Sequence, residues 1–218
     1  MNTIEKEKQQ QKIIQNIKGI ETATIAVIKS RDAHAEAMKQ LTVHGRETFS
    51  AEYVDREMQK KQVEFYSQMQ QAYKGVETRL EELRILLHDR DAVLDLTNPA
   101  LTNALMLIQS TNGNPSHEQA IQINENFRHD QSALRALYSA YGGRDLGNIG
   151  KMMYNLDETI DALQELARVG ITQDGESINF FANKFAQFAK IEGVTTEKTP
   201  DNRGYDDSIR RAAGLSVN

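Results

Sequence analysis

His88, Asp89, Asp91 and Asp95 crowd into one short stretch and are the densest set of potential ligands in the chain. On a helix Asp91 and Asp95 share a face, and two carboxylates so placed take a hard cation weakly. His88 and Asp89 lie on different sides of the helix, so the four do not converge. The same residues also read as the polar end of a helix, where acids oppose the macrodipole and help stop it; this second account needs no ligand and is preferred. An all-helical bundle raises the question of a carboxylate-bridged di-metal site, which needs repeated Glu-x-x-His pairs that project inward together. Glu125 and His129 come nearest, but they are one residue too far apart and have no duplicate. They read as two solvated side chains. The stretch GGRDLGNIG is rich in glycine, yet it lacks the order of a dinucleotide loop and follows a helix rather than a strand. It reads as a helix stop and a restart.

With no cysteine, the chain has no thiolate nucleophile, disulfide or Cys-ligated zinc or iron-sulfur site. It carries no GxSxG, HExxH, P-loop or EF-hand pattern, and its five histidines are scattered. Acid-base catalysis therefore has few players. The expectation is a protein that is not an enzyme and holds no cofactor and no metal.

Arg56, Lys60, Lys61, Phe65, Tyr66, Tyr73 and Lys74 mix bases with aromatics as single-strand binders do. Glu57 and Glu64 interleave with them, and Glu57 to Lys61 is a favourable helical pair, which describes a solvated face. A net charge of −5, spread rather than blocked, gives no electrostatic reason to expect nucleic acid. A nucleic-acid-associated regulator using this face is the alternative function.

The elements behind these residues are helices. Tyr66, Met69, Tyr73, Val76, Leu80, Leu83 and Leu87 step by three and four in strict alternation, a heptad seam over three repeats that asks for a partner helix. The proline-free stretch around it, 50–96, would span about 70 Å as one helix. A compact chain of this length has a radius of gyration of only about 17 Å. Gly75 costs the helix about 1 kcal/mol, far less than the seam's burial returns, so the helix is expected to run through. A first helix is expected from Ile4 to Val43, with Ile13, Ile17, Ile20, Val27, Met38 and Leu41 on one stripe and Ile14, Ile25 and Ile28 widening it. Thr24, Arg31 and His34 interrupt that stripe. Gly45 suits a tight connection and Ser50 or Thr48 a cap, giving an antiparallel hairpin over 1–96.

Beyond it, Asn98 and Pro99 start a short helix carrying Leu101, Leu105, Leu107 and Ile108. Ser116 and Gln119 have capping-box spacing ahead of a helix with Ile123, Phe127, Leu134, Leu137 and Tyr141 that stops at Gly142 and Gly143. A third, entered near Asp145, carries Ile149, Met153, Leu156, Ile160, Leu163 and Ala167 to Gly170. The last sets Ile178, Phe181, Phe185 and Phe188 on one face and ends at Gly193. Four such helices predict a small bundle over 97–193. The remainder, 194–218, is polar and reads as a flexible tail whose end, DDSIRRAAG, has the makings of a turn or two of helix.

The fold class is thus all-α: a long antiparallel hairpin with a coiled-coil-like seam, a small helical bundle and a tail. The expected function is non-enzymatic, an assembly or adaptor protein that self-associates or binds protein partners through Tyr66, Met69, Tyr73, Val76, Leu80, Leu83 and Leu87. Phe180, which falls off its helix's apolar face, and Ile209, Arg210 and Arg211 of the tail are the further partner-binding candidates. Long acidic helices without cysteine, ending in a tail with an Arg pair, resemble in layout the scaffold or virion-associated assembly proteins of phages. The first twenty residues lack a signal peptide's apolar core, and no apolar run is long enough to span a membrane. A cytoplasmic or particle-associated protein with other proteins, and neither membrane nor nucleic acid, as its partners is expected.

Overall fold

A computed structural model describes residues 3–173 and 177–196, and every regular element among them is helical. The first helix, α1, runs Thr3–Gln40 and continues without a turn through a π-helical segment, Leu41–Gly45, into α2, Arg46–Thr48. Gly45 is buried and helical, so it does not make the connection; a Cβ there would sit 3.5 Å from Val54 Cγ2, and the missing side chain brings the second rod close. The chain reverses at Phe49 and Ser50 instead. Ser50 Oγ accepts from the Tyr53 backbone amide at 3.3 Å and caps α3, Ala51–Asp91. That helix passes through Gly75 unbroken over about 60 Å, and it stops at Asp91 rather than continuing to Leu96.

Asn98 caps α4, Pro99–Ser110, and the Ser116–Gln119 capping box starts α5, His117–Asn126. The helix expected to reach Tyr141 in one piece is two, because the Asp130 carboxylate accepts from Ala133 N at 2.9 Å and caps a fresh start, α6, Gln131–Ala140. Gly142 and Gly143 then end it at positive φ. A 3-10 segment, Leu146–Lys151, follows, with Gly147 and Asn148 both left-handed, and α7, Leu156–Thr172, begins only where Asn155 caps it. Gly147 is fixed by crowding as well as by φ: a Cβ would lie 2.6 Å from the Ala120 carbonyl carbon. Buried Asn124 braces this turn, donating to the Leu146 and Gly147 carbonyls and accepting from the Tyr141 hydroxyl at 3.0 Å. The last helix is α8, Ser177–Ile191, closed by Gly193 at φ 75°.

The helices do not sort as the periodicities suggest. One core joins Ile13, Ile17, Ile20 and Val27 of α1 and the α3 seam to Ile160, Leu163 and Ala167 of α7 and the phenylalanines Phe181, Phe185 and Phe188 of α8. A second core belongs to α4, α5, α6 and the 3-10 segment, around Leu101, Ile108, Phe127, Leu134, Leu137, Tyr141 and Ile149. Instead of closing a bundle with α4 to α6, α7 and α8 lie on the hairpin, because two helices alone cannot cover a seam as apolar as that of α3.

The polar interruptions of α1 are accommodated at this contact. Thr24 is buried, and its hydroxyl donates to the Ile20 carbonyl of its own helix at 2.8 Å. Arg31 reaches the last turn of α7, where its Nη2 donates to the Gly170 and Ile171 carbonyls at 3.0 and 2.7 Å, satisfying carbonyls that a helix end leaves open.

Candidate functional site

Of the seam residues expected to face a partner, Met69, Val76, Leu80, Leu83 and Leu87 are buried within the chain itself, in the core shared with α1, α7 and α8. The partner helices the seam asks for are therefore intramolecular. Tyr73 is half-buried, and its hydroxyl donates to Glu77 at 2.9 Å; burial first, and then Glu77, push its pKa up to about 12. Tyr66 is 54 % exposed, and Phe65 takes the inward position. A straight α-helix drifts about 20° per heptad against a strict 3.5-residue repeat, so three heptads back from Leu87 the residue before the expected one faces the partner helix. Phe180 is exposed, with Lys184 Nζ 5.6 Å from its ring centre. Ile209, Arg210 and Arg211 lie outside the described residues.

The other candidates disperse. His88 Nε2 lies 3.0 Å from Asp157 Oδ1, and this hydrogen bond, with Arg84 close by, holds the Asp157 carboxyl below its usual range. Asp95 accepts from Thr97 N and Oγ1, Glu125 pairs with Arg128, and His129 Nδ1 meets the Ile191 carbonyl. Among the described residues no group of three or more His, Cys, Asp or Glu could hold a metal ion. Phe65 is packed against α1, out of the face it would share with Lys60 and Lys61 in a nucleic-acid site.

Asp91 instead joins a buried charge cluster that nothing in the spacing announces. Arg90 Nε meets Asp91 Oδ1 at 2.8 Å and Arg90 Nη1 meets Glu192 Oε2 at 2.5 Å, while the Tyr154 hydroxyl donates to Glu192 Oε1. The Asp91 and Glu192 side chains are 4 % and 1 % exposed. Burial works against the Arg90 charge, yet Glu192 and Asp91 raise its pKa above the ordinary value; burial and then Glu192 push Tyr154 up. The cluster ties the ends of α3 and α8 to the segment before α7. Its charges pair with one another between the ends of α3 and α8, so within the fold it acts as a clamp.

The exposed apolar side chains gather elsewhere. At Arg31 and Phe65 the body of the molecule ends: His34 stacks on Phe65 with centroids 4.0 Å apart and planes 6° from parallel, His34 Nε2 lies 3.2 Å from Gln62 Oε1, and the Arg31 guanidinium sits 5.8 Å from the Phe65 ring centre. Beyond this root the two rods run on for about 20 to 25 Å, and over residues 32–64 only Gly45 and Val54 are buried. Met38, Leu41 and Met58 are half-buried along the line where the rods meet, because a single neighbour covers only one side of a seam. Val43, Phe49, Tyr53, Val63 and Tyr66 are exposed, each between 45 % and 68 %. The Phe49 and Tyr53 rings lie 5.0 Å apart at the tip. Val43, Tyr53 and Val63 fall off the stripes of their helices, but Met38, Leu41 and Tyr66 lie on them, so the sequence pattern does not mark the arm.

No protein family, no curated protein and no solved structure matches this chain. No described helix is long and apolar enough to cross a membrane.

Proposed function

We propose that this chain is a non-enzymatic assembly or adaptor protein whose projecting arm is the surface that engages other proteins, a second copy of the chain first among them. The observation that supports this reading is the apolar arm itself. A two-helix rod with half-open Met38, Leu41 and Met58 and exposed Val43, Phe49, Tyr53, Val63 and Tyr66 resembles one half of a four-helix packing. Two arms laid side by side would complete it by the ridges-into-grooves packing of antiparallel helices. Exposed aromatics on a rigid element are also what interfaces use as anchors. A role as a scaffold or virion-associated component of a phage particle is the finer form of the proposal and rests on the layout of long acidic helices and tail. The cytoplasm or an assembled particle is the corresponding location.

Sedimentation equilibrium of the wild type beside a Phe49→Asp/Tyr53→Asp variant tests it. The wild type should be a multimer at micromolar concentration and the variant a monomer with unchanged helical circular dichroism. A wild type that stays monomeric, or a variant that associates as tightly as the wild type, would sink the reading.

A further inference from the structure

A cleft opens where the two cores meet. Its walls are α5 and the 3-10 segment on one side and α8 on the other, and its volume of about 450 Å³ falls among small-molecule sites, about 300 to 1,000 Å³. Three elements each bring one cation to it at same-face spacing. Arg128, in the turn after α5, follows Ile121 by seven positions, Lys151 follows Asn148 by three on the 3-10 segment, and Lys190 follows Gln187 by three on α8. The walls are fixed in place. Asn124 Nδ2 donates to the Gly147 carbonyl at 3.2 Å, His129 Nδ1 meets the Ile191 carbonyl at 2.5 Å, and Gln131 Nε2 donates to the Met152 carbonyl at 2.9 Å. Asn148, on the rim, is left-handed at φ 59°, and a non-glycine residue is held so only where its surroundings over-determine it, as at ligand sites. The cleft is therefore preformed, and binding would not have to order its walls.

Its charge is unlike that of the chain. Arg128, Lys151 and Lys190 stand there against one carboxylate, Glu125, in a protein of net charge −5. Arg128 is committed to Glu125 at 2.5 Å, whereas among the described residues neither Lys151 nor Lys190 makes an ion pair. Glu192, the acid nearest along α8, is taken by Arg90. Half-buried Ile121, Met152 and Ile191 line the same space, so the cleft offers two uncommitted cations beside an apolar wall. We infer that it binds a small organic phosphate, a phosphomonoester on an apolar body, with Lys151 and Lys190 on the phosphate and Ile121, Met152 and Ile191 against the body. The surplus of two positive charges selects this class: a phosphomonoester carries about −1.5 to −2 at neutral pH, while a single carboxylate would leave one lysine uncompensated. The cations converge on a concave space from three elements instead of tracking a groove, which suits a small molecule better than a nucleic-acid strand. This inference is independent of the arm.

Naphthyl phosphate is a suitable probe, because its fluorescence reports binding and naphthol supplies the same body without the anion. Titrated into the full chain, it should bind saturably, at least tenfold tighter than naphthol, and more weakly as salt is raised. Lys151→Gln/Lys190→Gln should weaken it at least tenfold, as charge-assisted contacts to phosphate are lost. Lys39→Gln/Lys60→Gln, at exposed positions of the arm, should leave it unchanged. Competition on the wild type needs no variant and so guards against misfolding: inorganic phosphate should displace naphthyl phosphate and leave naphthol in place. Naphthol binding as tightly as its phosphate, or equal affinities for the two lysine variants, would overturn the inference. A single-stranded oligonucleotide that displaces the probe at lower concentration than inorganic phosphate would assign the cleft to nucleic acid and overturn it as well.

Discussion

Replacing Arg90 by Met removes the one cation of the buried cluster and leaves the Asp91 and Glu192 carboxylates, 4 % and 1 % exposed, with the Tyr154 hydroxyl as the remaining donor to Glu192. The Arg90 side chain is itself 19 % exposed, and Met fills most of its aliphatic stem, so the change is chiefly electrostatic. Breaking a buried pair by removing one partner costs about 3 to 5 kcal/mol, since the other charge stays behind uncompensated. At about 2 to 4 °C per kcal/mol for a chain of this size, melting should fall by about 6 to 20 °C. Denaturant unfolding followed by circular dichroism gives the free energy; the midpoint should drop with the slope unchanged, because the surface exposed on unfolding is nearly the same. Adding Asp91→Asn and Glu192→Met to the Arg90→Met background should recover part of the loss, as neutral groups of similar volume replace stranded anions. A single variant within about 1 kcal/mol of the wild type, or a triple variant no better than the single, would refute the view that this cluster clamps the ends of α3 and α8.

Leu83→Ala, at a fully buried seam position, should cost about 2 to 5 kcal/mol, whereas Lys60→Ala on the exposed face should stay within about 0.5 kcal/mol; equal effects in denaturant titrations would contradict the seam's placement in the core. Two glycines should respond with opposite sign in thermal unfolding. Gly75→Ala meets open space in mid-helix and should stabilise by about 1 kcal/mol, while Gly147→Ala, at φ 59° with its Cβ 2.6 Å from Ala120, should destabilise strongly. Alkaline stability follows from the tyrosines. Tyr73, pushed up to about 12 by burial and then Glu77, and Tyr141, pushed to about 12 by burial, favour the neutral phenol in the folded state. Their contribution is complete below the unfolded value near 10 and is lost as pH rises from there through about 12. Phenolate absorbance in folded protein should lag that of the denatured chain, and coincident titration curves would exclude the effect.

The all-helical class and the local punctuation were readable from the chain because both depend on neighbours in sequence. Ser50, Asn98 and the Ser116–Gln119 box cap where hydroxyl, amide and Pro chemistry places them, and Gly142, Gly143 and Gly193 stop helices at positive φ. What escaped depends on geometry across the fold. A heptad count misplaced Tyr66 by one position because it ignores the drift of a straight helix. The break at Asp130 was hidden because Phe127 and Leu134 keep helical spacing across it. Which stripes meet could not be read from their periods, since Leu163 of α7 and Leu137 of α6 carry the same pattern and enter different cores. The arm was invisible for a related reason: it is defined by where α7 and α8 end, not by anything in residues 32–64. Glu192, next to the helix stop at Gly193, gave no sign that it would be buried against Arg90.

Mechanically the arm is a cantilever. A load applied across its tip at Phe49 acts over a lever of about 20 to 25 Å and is borne at the root, where His34 stacks on Phe65 and Arg31 holds the end of α7. Packed rings and a rigid guanidinium resist bending in the plane of the two rods, while the thin flank beside them does not. Two rods side by side are therefore softer to sideways deflection than to bending in their common plane. Torque from the tip is delivered through Arg31 to the last turn of α7, at Gly170 and Ile171.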